Sequence, residues 1–336
     1  MVLVTGGTGL VGSHLLVKLA QQGEKIRATY RKGSDLEHVR TIFSYYSETS
    51  SDLFDTIEWQ EANLNDIPKL TVAFENISHV YHCAAYISFD PSDYKKLRNT
   101  NIKGTANIVN LCIEHKIKKL CYVSSIATLG HHSDRIDEDT FWGGNQDQSV
   151  YAISKYGAEM EVWRGIQEGV STVIVNPGVI IGPGFWNSGS GLLFKLAYKG
   201  NPYITEGITA YVDVNDVVVA MLKLMRSSIE NQRYILAGAN ISYEEIMTMI
   251  CKALHVKAPR KVASKFLLSV GWRADWLLSK IIGRKRKLTK QLAKTLIKKS
   301  IYSSDKILSD LEGFKFTPIT DSVSARCREF LEDVGS

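Results

Sequence analysis

The sequence predicts an α/β protein with a doubly wound parallel sheet and a smaller, mainly helical C-terminal unit. Over the first two thirds of the chain, short apolar runs alternate with amphipathic stretches, which is the pattern of successive βαβ units. After Pro177 the pattern changes, first to a glycine-rich stretch and then to helical periodicity. We therefore assign residues 1–178 and 208–237 to the sheet unit, and residues 179–207 and 238–336 to the smaller unit.

Two kinds of periodicity locate the elements. Runs rich in β-branched and aromatic residues predict strands at residues 2–5, 25–30, 57–60, 79–83, 119–124, 172–175 and 233–236. Apolar residues at helical spacing predict helices over residues 10–22, 99–116 and 151–168. A strand and then a helix that opens near Asp213 are predicted within residues 211–225. The run Ser242-Tyr243-Glu244-Glu245 fits a capping box, which predicts another helix start.

Composition limits the class of protein. A hydrophobic share of 44% and a charged share of 23% are typical of globular chains and exclude disordered and fibrous classes. We expect no membrane span, because no apolar stretch reaches the ~18 residues that a span needs, and we expect no signal peptide. The five cysteines are widely spaced without a CxxC pair. This indicates reduced thiols in a cytoplasmic protein, with no disulfide framework and no metal site.

The formal net charge of +6 is unevenly distributed. Between residues 260 and 299 basic residues recur with Asp275 as the only acid, most densely in Arg284-Lys285-Arg286-Lys287. A solvated surface explains this run, and contact with an anionic surface, either lipid headgroups or an acidic substrate, is a second interpretation. Nucleic-acid binding is not expected, because no aromatic platform or binding motif accompanies the charge. The amphipathic stretch 264–282 is predicted to be a helical lid over a substrate or a peripheral membrane contact.

A glycine-rich turn follows the first predicted strand and opens the first helix. In Thr5-Gly6-Gly7-Thr8-Gly9-Leu10-Val11-Gly12, glycines permit a tight turn and let backbone N–H groups approach a pyrophosphate at the helix N-terminus. Strand, spacing and helix all agree with this motif. The sequence therefore predicts a dinucleotide-binding Rossmann fold.

The end of the second strand indicates which dinucleotide is bound. NAD-binding Rossmann folds carry an acid about 20 residues beyond the glycines, where it holds the ribose 2′-hydroxyl. Here Tyr30 stands in that place, followed by Arg31 and Lys32, and no acid occurs before Asp35. An arginine can hold a 2′-phosphate through a forked, charge-assisted contact. We therefore predict NADP(H) as the cofactor, with NAD as the alternative.

Tyr151 and Lys155 form the predicted catalytic pair. Their i, i+4 spacing places the phenol and the ammonium on one helical face. A nearby ammonium stabilises the phenolate and lowers the tyrosine pKa from its usual ~10, so that Tyr151 can act as a general acid/base. Ser124 and Ser125 follow the preceding strand, where a serine hydroxyl can hydrogen-bond the reacting oxygen and hold it beside the tyrosine.

A series of motifs spans nearly the whole chain in a fixed order. They are TGGTGLVGSH after the first strand, HCAA at 82–85, NIKGT at 101–105, SSIATLG at 124–130, YAISK at 151–155, NPGVIIGPG at 176–184, YVDVNDVV at 211–218 and GFKFTP at 313–318. In this order they resemble the extended short-chain dehydrogenases/reductases, a group that also contains nucleotide-sugar epimerases and dehydratases. RATYR and HCAAYISF are most similar to dihydroflavonol reductase and 3β-hydroxysteroid dehydrogenase relatives. The resemblance also implies a homodimer formed through the helices at 99–116 and 151–168.

The resemblance implies a role for each matching residue. Ser125 aligns with the catalytic serine or threonine, Tyr151 with the proton donor, and Lys155 with the residue that binds the nicotinamide ribose. Asn63 stands where the family usually has aspartate, and an asparagine can still accept a hydrogen bond from the adenine amine. The residues implied to contact the cofactor, besides Tyr151 and Lys155, are Gly6, Thr8, Gly9, Leu10, Val11, Gly12, Arg31, Lys32, Asn63, Leu64, Cys83, Ala84, Ala85, Asn101, Pro177, Gly178 and Val179.

The implied activity is hydride transfer between NADP(H) and a carbonyl compound, interconverting a ketone or aldehyde and the matching alcohol, a secondary alcohol in the case of a ketone. Six positions are expected to line the substrate site, and their apolar character predicts an aromatic or steroid-like substrate. These positions are Ile87, Phe89, Ala127, Ile180, Phe185 and Trp186.

Two alternatives remain open at this point. A nucleotide-sugar epimerase or dehydratase with tightly bound NAD uses the same fold and the same Tyr-Lys pair. Against it stand Tyr30 in place of an acid, an apolar loop after the fourth strand, and Ile126-Ala127 where a dehydratase is expected to carry Asp-Glu. A non-catalytic dinucleotide sensor is the second alternative, and the intact Ser125, Tyr151 and Lys155 argue against it.

Overall fold

A parallel sheet of seven strands forms the centre of the protein. The computed structural model describes residues 1–46, 50–130, 135–144, 148–283, 286 and 288–335. The strands in these ranges are β1 (Val2–Thr5), β2 (Ile26–Tyr30), β3 (Glu58–Glu61), β4 (His79–His82), β5 (Lys119–Val123), β6 (Arg135–Ile136), β7 (Thr172–Pro177), β8 (Val179–Ile181), β9 (Tyr203–Ile204), β10 (Ile208–Asp213), β11 (Gln232–Leu236), β12 (Ala239–Ser242), β13 (Lys261–Val262) and β14 (Ile301–Tyr302).

Helices connect most of these strands. Two of the α-helices are joined into one continuous helix by a π-helical segment, Arg98–Lys103. Two 3₁₀ turns of the described ranges lie at Pro91–Asp93 and Ile126–Thr128. The α-helices of the described ranges are α1 (Leu10–Gln21), α2 (Leu36–Ser44), α3 (Ser50–Phe54), α4 (Ile67–Phe74), α5 (Tyr94–Leu97), α6 (Gly104–Glu114), α7 (Val150–Gln167), α8 (Gly191–Tyr198), α9 (Val214–Arg226), α10 (Tyr243–Ala253), α11 (Lys265–Ile282), α12 (Lys290–Thr295), α13 (Asp305–Asp310) and α14 (Ile319–Gly335).

The large sheet confirms the predicted doubly wound fold. Its strand order is β11-β7-β5-β4-β1-β2-β3, and each neighbouring pair is parallel. The strand order reverses between β1 and β4, which opens a crevice at the carboxyl ends of these two strands, beyond Thr5 and His82. Smaller sheets, β12-β10-β8, β13-β9 and β14-β6, lie outside the main one.

Two apolar clusters cover the two faces of the large sheet. One contains Val4 and Tyr81 with the inner sides of α1 and α9, and the other contains Leu3 and Val80 with α4, α6 and α7. Successive strand residues point to opposite faces. Because β1 is covered on both faces, all four of its residues are buried, and this explains why its sequence is apolar nearly throughout rather than alternating.

The predicted helix starts near Asp213 and Ser242 are confirmed. The Asp213 carboxylate accepts a hydrogen bond from the Asn215 amide at 2.8 Å at the start of α9. At the start of α10, Ser242 Oγ accepts from the Glu245 amide at 3.1 Å and the Glu245 carboxylate accepts from the Ser242 amide at 2.7 Å. These contacts satisfy backbone N–H groups that have no partner within a helix.

A third apolar cluster unites α8, α10 and α14 beside the sheet. Its centre is aromatic, because the ring of Phe330 lies 5.2 Å from that of Trp186 and 5.6 Å from that of Tyr198. Ile307 and Phe314, however, pack in the cluster beneath the large sheet, so the chain returns to that sheet after residue 300. The division of the chain into two units at residues 178, 208 and 238 stays a prediction.

Most predicted elements agree with the structure to within two residues. The predicted helix 99–116 is the continuous π- and α-helical segment that ends at Glu114, and the stretch 264–282 is α11, capped by Ser264 Oγ. Of the densest basic run, Arg284, Lys285 and Lys287 lie outside the described residues. Within the described ranges, no helix combines the length and apolar character needed to cross a bilayer.

Replacement of Phe330 by alanine is expected to lower the free energy of unfolding by about 3–5 kcal/mol, because it leaves a cavity among buried aromatic rings. Its neighbour Leu331 is exposed on the same helix, and Leu331→Ala should change that free energy by less than about 0.5 kcal/mol. Urea unfolding followed by circular dichroism measures both. Equal effects of the two substitutions would contradict the packing described for α14.

Candidate active site

The turn between β1 and α1 can be built only with glycine at two positions. Gly6 has a φ of +74°, and a Cβ on it would lie 2.6 Å from the Ala84 backbone. A Cβ on Gly12 would lie 2.1 Å from the Gly6 carbonyl oxygen. These distances are shorter than any carbon contact allows, so the glycines bring the turn, the helix and the β4 loop together. Gly9 is the N-cap of α1, and within the described residues no side chain caps this end of the helix. The first N–H groups of α1 therefore suit a pyrophosphate.

A polar cavity of about 540 Å³ lies at the carboxyl ends of β2 and β3. Arg31 and Lys32 line it, as predicted, and so does Asn63. Its other walls include Glu61 and Lys69, whose charged groups form an ion pair at 2.6 Å. Lys69 lowers the pKa of the Glu61 carboxyl, and Lys32 contributes in the same direction. Asp66 is a second acid of the lining, so three cations face two acids and one surplus positive charge remains for an anionic group.

The predicted serine and tyrosine come together at the crevice. Ser149 Oγ accepts from the Ala152 amide at 3.0 Å and starts α7, which places Tyr151 in the first turn of the helix. Ser125 lies just beyond β5, and its side chain is near enough to that of Tyr151 to lower the pKa of the phenol. The predicted lowering of the Tyr151 pKa by Lys155 is not found: burial raises the pKa of the phenol, and the nearby Ser125 side chain opposes this rise. The Tyr151 phenol therefore carries its proton in the resting protein.

Lys155 lies one turn further along α7, and its side chain is only 1% exposed. Its Nζ donates to the Tyr122 hydroxyl at 2.8 Å and to the Val123 carbonyl at 2.9 Å. Burial lowers the pKa of the ammonium to about 7, while the Glu159 carboxylate acts in the opposite direction. Two of its three N–H groups thus have acceptors within the protein, which leaves the third for a bound group.

Tyr122 belongs to a buried polar chain that the sequence did not predict. The Thr105 side chain lies near the Tyr122 hydroxyl and lowers its pKa, against the burial that raises it. Thr105 Oγ1 lies 3.0 Å from His82 Nε2, and His82 Nδ1 lies 2.6 Å from Thr5 Oγ1. Burial lowers the pKa of His82 to about 3, with Lys155 contributing, so the ring is neutral. The chain links the end of β1 to the ammonium of Lys155.

A second unpredicted residue, Glu159, lies one further turn along the same face of α7. Its side chain is fully buried, and Oε2 accepts from Thr128 Oγ1 at 2.8 Å and from Asn176 Nδ2 at 2.9 Å. Ser124 Oγ also donates to this oxygen, and Arg233 forms an ion pair with Oε1 at 3.1 Å. The carboxylate therefore fixes the strand ends that precede Ser125 and Pro177.

The loop after β4 is held by Asn101, in the π-helical segment. Asn101 Oδ1 accepts from the Tyr86 amide at 2.7 Å, and its Nδ2 donates to the Tyr86 carbonyl at 3.0 Å and to Ser154 Oγ at 2.9 Å. These contacts hold the Cys83–Ala85 loop against α7. Burial raises the pKa of the Cys83 thiol to about 12, so Cys83 is a small neutral side chain rather than a reactive thiolate.

Beyond the large sheet, the backbone at Gly178 approaches β10 closely. A Cβ on Gly178 would lie 2.5 Å from the Ala210 carbonyl oxygen, so only glycine fits between Pro177 and Val179. Because of this close approach, β8 begins directly after β7 in the chain and lies beside β10. Leu64 is buried in the apolar cluster with α4, α6 and α7, and a Cβ on Gly104 would meet its side chain at 2.8 Å.

The six predicted substrate residues are not equally placed. The ring of Phe89 lies 5.5 Å from that of Tyr151, and the Ala127 amide donates to Ser125 Oγ at 3.2 Å, so each adjoins one predicted catalytic residue. Ile87 is exposed on the loop that leads to Phe89. Ile180 packs partly against the core of the large sheet.

The other two predicted substrate residues have partners elsewhere. Phe185 packs edge-on against His38 of α2, with ring centroids 5.0 Å apart. Trp186 is buried, packs on Phe194 and Phe330, and donates its indole N–H to Asp333. The ring of Trp186 is thus core of the third apolar cluster and not a wall of the crevice, because its apolar surface is already covered.

Two of the unpredicted features, the polar chain at His82 and the buried Glu159, had a signal in the sequence. HCAA and NIKGT contain His82 and Thr105, and both motifs were identified without a role for these polar side chains. Glu159 continues the i, i+4 series of Tyr151 and Lys155, so its place on the same helical face follows from spacing alone. Nothing in the spacing indicated Tyr122, because a tyrosine in an apolar strand is expected in the core.

Comparison with known proteins agrees with this geometry. The profile of the NAD dependent epimerase/dehydratase family matches residues 2–237. A protein of Synechocystis sp. provisionally named dihydroflavonol 4-reductase is 28% identical over 92% of this chain and 88% of its own length. Sterol demethylase protein B of Methylococcus capsulatus is 25% identical over 73% of this chain and 72% of its own length.

Solved structures share the fold. The crystal structure of gox2253 has a TM-score of 0.81 at 26% identity and covers 99% of this chain and 98% of that one. The Bordetella bronchiseptica enzyme WbmG, in complex with NAD and UDP, has a TM-score of 0.75 at 17% identity over 98% of this chain and 94% of that one, which shows the fold alone. The resemblance to extended short-chain dehydrogenases/reductases is confirmed. The chain belongs to the NAD-dependent epimerase/dehydratase family and is an NAD(P)-dependent oxidoreductase of that family.

Proposed function

We propose that this protein is an NADPH-dependent reductase of an apolar, aromatic or steroid-like ketone or aldehyde, acting reversibly on the matching alcohol. The observation that carries the proposal is the placement of the Ser125 side chain beside Tyr151, which lies one helical turn from a buried Lys155 and 5.5 Å from the Phe89 ring. The apolar contact at Phe89 favours a hydrophobic substrate over a sugar. The names of the dihydroflavonol and cinnamoyl-CoA reductases among the relatives support the same class of substrate.

The residues of the site suit a dinucleotide. The close glycine contacts and the uncapped start of α1 suit a pyrophosphate, and Arg31 with Lys32 suits a 2′-phosphate. When bound, the nicotinamide supplies the hydride that reduces the carbonyl carbon. Gly178 and the residues on either side of it would then border the nicotinamide, and Asn63 and Leu64 the adenine.

The chain's own groups handle the carbonyl oxygen and the proton. Ser125 and Tyr151 hold the oxygen between their hydroxyl groups, and Tyr151 gives its proton to the alkoxide as it forms. The resulting phenolate is stabilised by the nearby Lys155 ammonium, whose charge is supported by Glu159. Tyr122 and Val123 fix the position of that ammonium. We further propose that the protein works as a homodimer.

A nucleotide-sugar epimerase is the alternative that the fold neighbours raise, since WbmG and other solved structures contain NAD or UDP-sugars. Purified protein distinguishes the two. Turnover of free NADPH with apolar ketones supports the reductase. Retained NAD together with conversion of a UDP-sugar, and no ketone turnover, would contradict it.

Tyr151→Phe should lower kcat/KM for ketone reduction by about 10²- to 10⁴-fold, because it removes the proton donor. NADPH binding, followed by fluorescence, should hardly change. Tyr156→Phe is the matched control: this tyrosine stacks on Trp142 at 4.3 Å on another side of the same helix, and its loss should leave turnover intact. Full turnover by Tyr151→Phe would remove Tyr151 from the mechanism.

Arg31→Ala should raise KM for NADPH about tenfold to a hundredfold, as expected for the loss of a charged hydrogen bond to the 2′-phosphate. KM for NADH should change by less than about twofold, because NADH lacks that phosphate. Arg40 is an arginine that pairs with Asp55 instead, so Arg40→Ala serves as the control. Equal increases for both dinucleotides would overturn the assignment of Arg31.

Tyr122→Phe should move the alkaline limb of the pH–kcat profile to lower pH by about one unit. Burial already lowers the pKa of Lys155 to about 7, and removal of an acceptor from its charged form lowers it further. As pH rises through that pKa the ammonium is lost, and with it the stabilisation of the Tyr151 phenolate. Tyr81→Phe, on the neighbouring strand, is the control. An unchanged profile would show that Tyr122 has only a structural role.

A further inference from the structure

Helix α11 has one covered side and one open side. Leu268 and Trp272 pack with Ala293 of α12, and the Asp275 carboxylate accepts a hydrogen bond from the Leu288 amide at 3.1 Å. These contacts fall on a single stripe, since residues spaced by three and four lie on one side of a helix. The remaining circumference of α11 faces outward.

The outward side is apolar along the whole helix. Phe266 is 79% exposed and Ile281 71% exposed, and both lie on the side opposite to Leu268. We call this surface the apolar face of α11. Its exposed members are Phe266, Leu267, Val270, Leu277, Leu278, Ile281 and Ile282. At 1.5 Å per residue the face extends about 27 Å. A continuous exposed strip of this size marks an interaction surface.

A basic border runs along one edge of the apolar face. Lys265, Arg273 and Lys280 project from the same flank of α11, by helical spacing. Lys280 Nζ lies 4.8 Å from the Trp276 ring centroid, so an indole and an ammonium share the boundary between apolar and charged surface. Over residues 257–299 the sequence has 14 basic residues and one acid.

We propose that α11 lies in the plane of an anionic phospholipid surface, with its apolar face in the acyl region and its basic border among the headgroups. Charge complementarity favours this occupant, because a second copy of the chain would bring the same excess of positive charge against itself. Tryptophan and long basic side chains are typical of the bilayer boundary, where their apolar stems are buried while the polar ends stay in water. An amphipathic helix with these features binds in the interface without spanning it.

Co-sedimentation of the full-length protein with vesicles tests the proposal. Vesicles of phosphatidylcholine mixed with phosphatidylglycerol should bind the protein, and those of phosphatidylcholine alone should bind it at least ~10-fold more weakly. Phe266→Glu with Ile281→Glu should reduce binding to the mixed vesicles by ~10-fold or more, and so should Lys265→Glu with Lys280→Glu. All four side chains are exposed, so circular dichroism and thermal unfolding should match those of the parent protein.

Leu308→Glu with Val334→Glu is the matched control, since these side chains are 45% and 48% exposed on other helices. This pair should bind mixed vesicles as the parent does. Equal binding to both vesicle types, or unchanged binding by Phe266→Glu with Ile281→Glu, would overturn the proposal. It also fails if no vesicle is bound and that double substitution instead dissociates a dimer in light scattering, or abolishes binding to an acidic protein.

Discussion

The side of helix α7 that carries Tyr151 and Lys155 can pack against the large sheet because a buried negative charge on that side, Glu159, is compensated by its partners. Tyr151, Lys155 and Glu159 follow one another at intervals of four residues on one side of the helix, which is fully buried at Lys155 and Glu159 and partly buried at Tyr151. An isolated carboxylate in that position would cost several kcal/mol. Arg233 forms an ion pair with one carboxylate oxygen, and the other accepts three hydrogen bonds, from the ends of β5 and β7 and from the 3₁₀ turn at Ile126–Thr128. Without this compensation the helix could not lie where it does.

The Glu159 carboxylate also holds the ends of two strands of the large sheet in position beside α7. Its partners Ser124 and Asn176 are adjacent in sequence to Ser125 and Pro177, so the two strand ends are held at one distance from the helix. Asn176 Nδ2 also donates to the Ser125 carbonyl at 3.2 Å, which ties the two strand ends to each other. The position of Ser125 beside Tyr151 is therefore determined by the hydrogen bonds of Glu159 and Asn176, and not by contacts of Ser125 alone. The charge of Glu159 also favours the ammonium form of Lys155, against the burial that disfavours it.

Much of the fold and part of the candidate site could be predicted from the sequence, because strong periodicity determines local secondary structure. The β1 strand, the start of α1 and the Tyr151-Lys155 pair follow from patterns that depend only on neighbouring residues. The partners of Lys155 and Glu159 could not be predicted, because they come from strands far away in the chain. The same limit explains Trp186: its apolar character suited both a substrate wall and a core, and only the positions of Phe194 and Phe330 decide between them.

The polar cavity at the ends of β2 and β3 shows that two consecutive cations in a sequence do not by themselves determine which charge a pocket prefers. Arg31 and Lys32 follow β2, but Glu61 ends β3 beside them, and a parallel neighbour of this kind is invisible to local sequence reasoning. Had Glu61 been unpaired, it would repel a phosphate and attract a ribose hydroxyl. Lys69, from the first turn of α4, engages that carboxylate at 2.6 Å and removes this preference. Asp66, the N-cap of α4, is a second acid of the lining, so three cations stand against two acids. The single surplus positive charge of the pocket therefore depends on Lys69 as much as on the end of β2, and it exists only when β2, β3 and α4 are packed together.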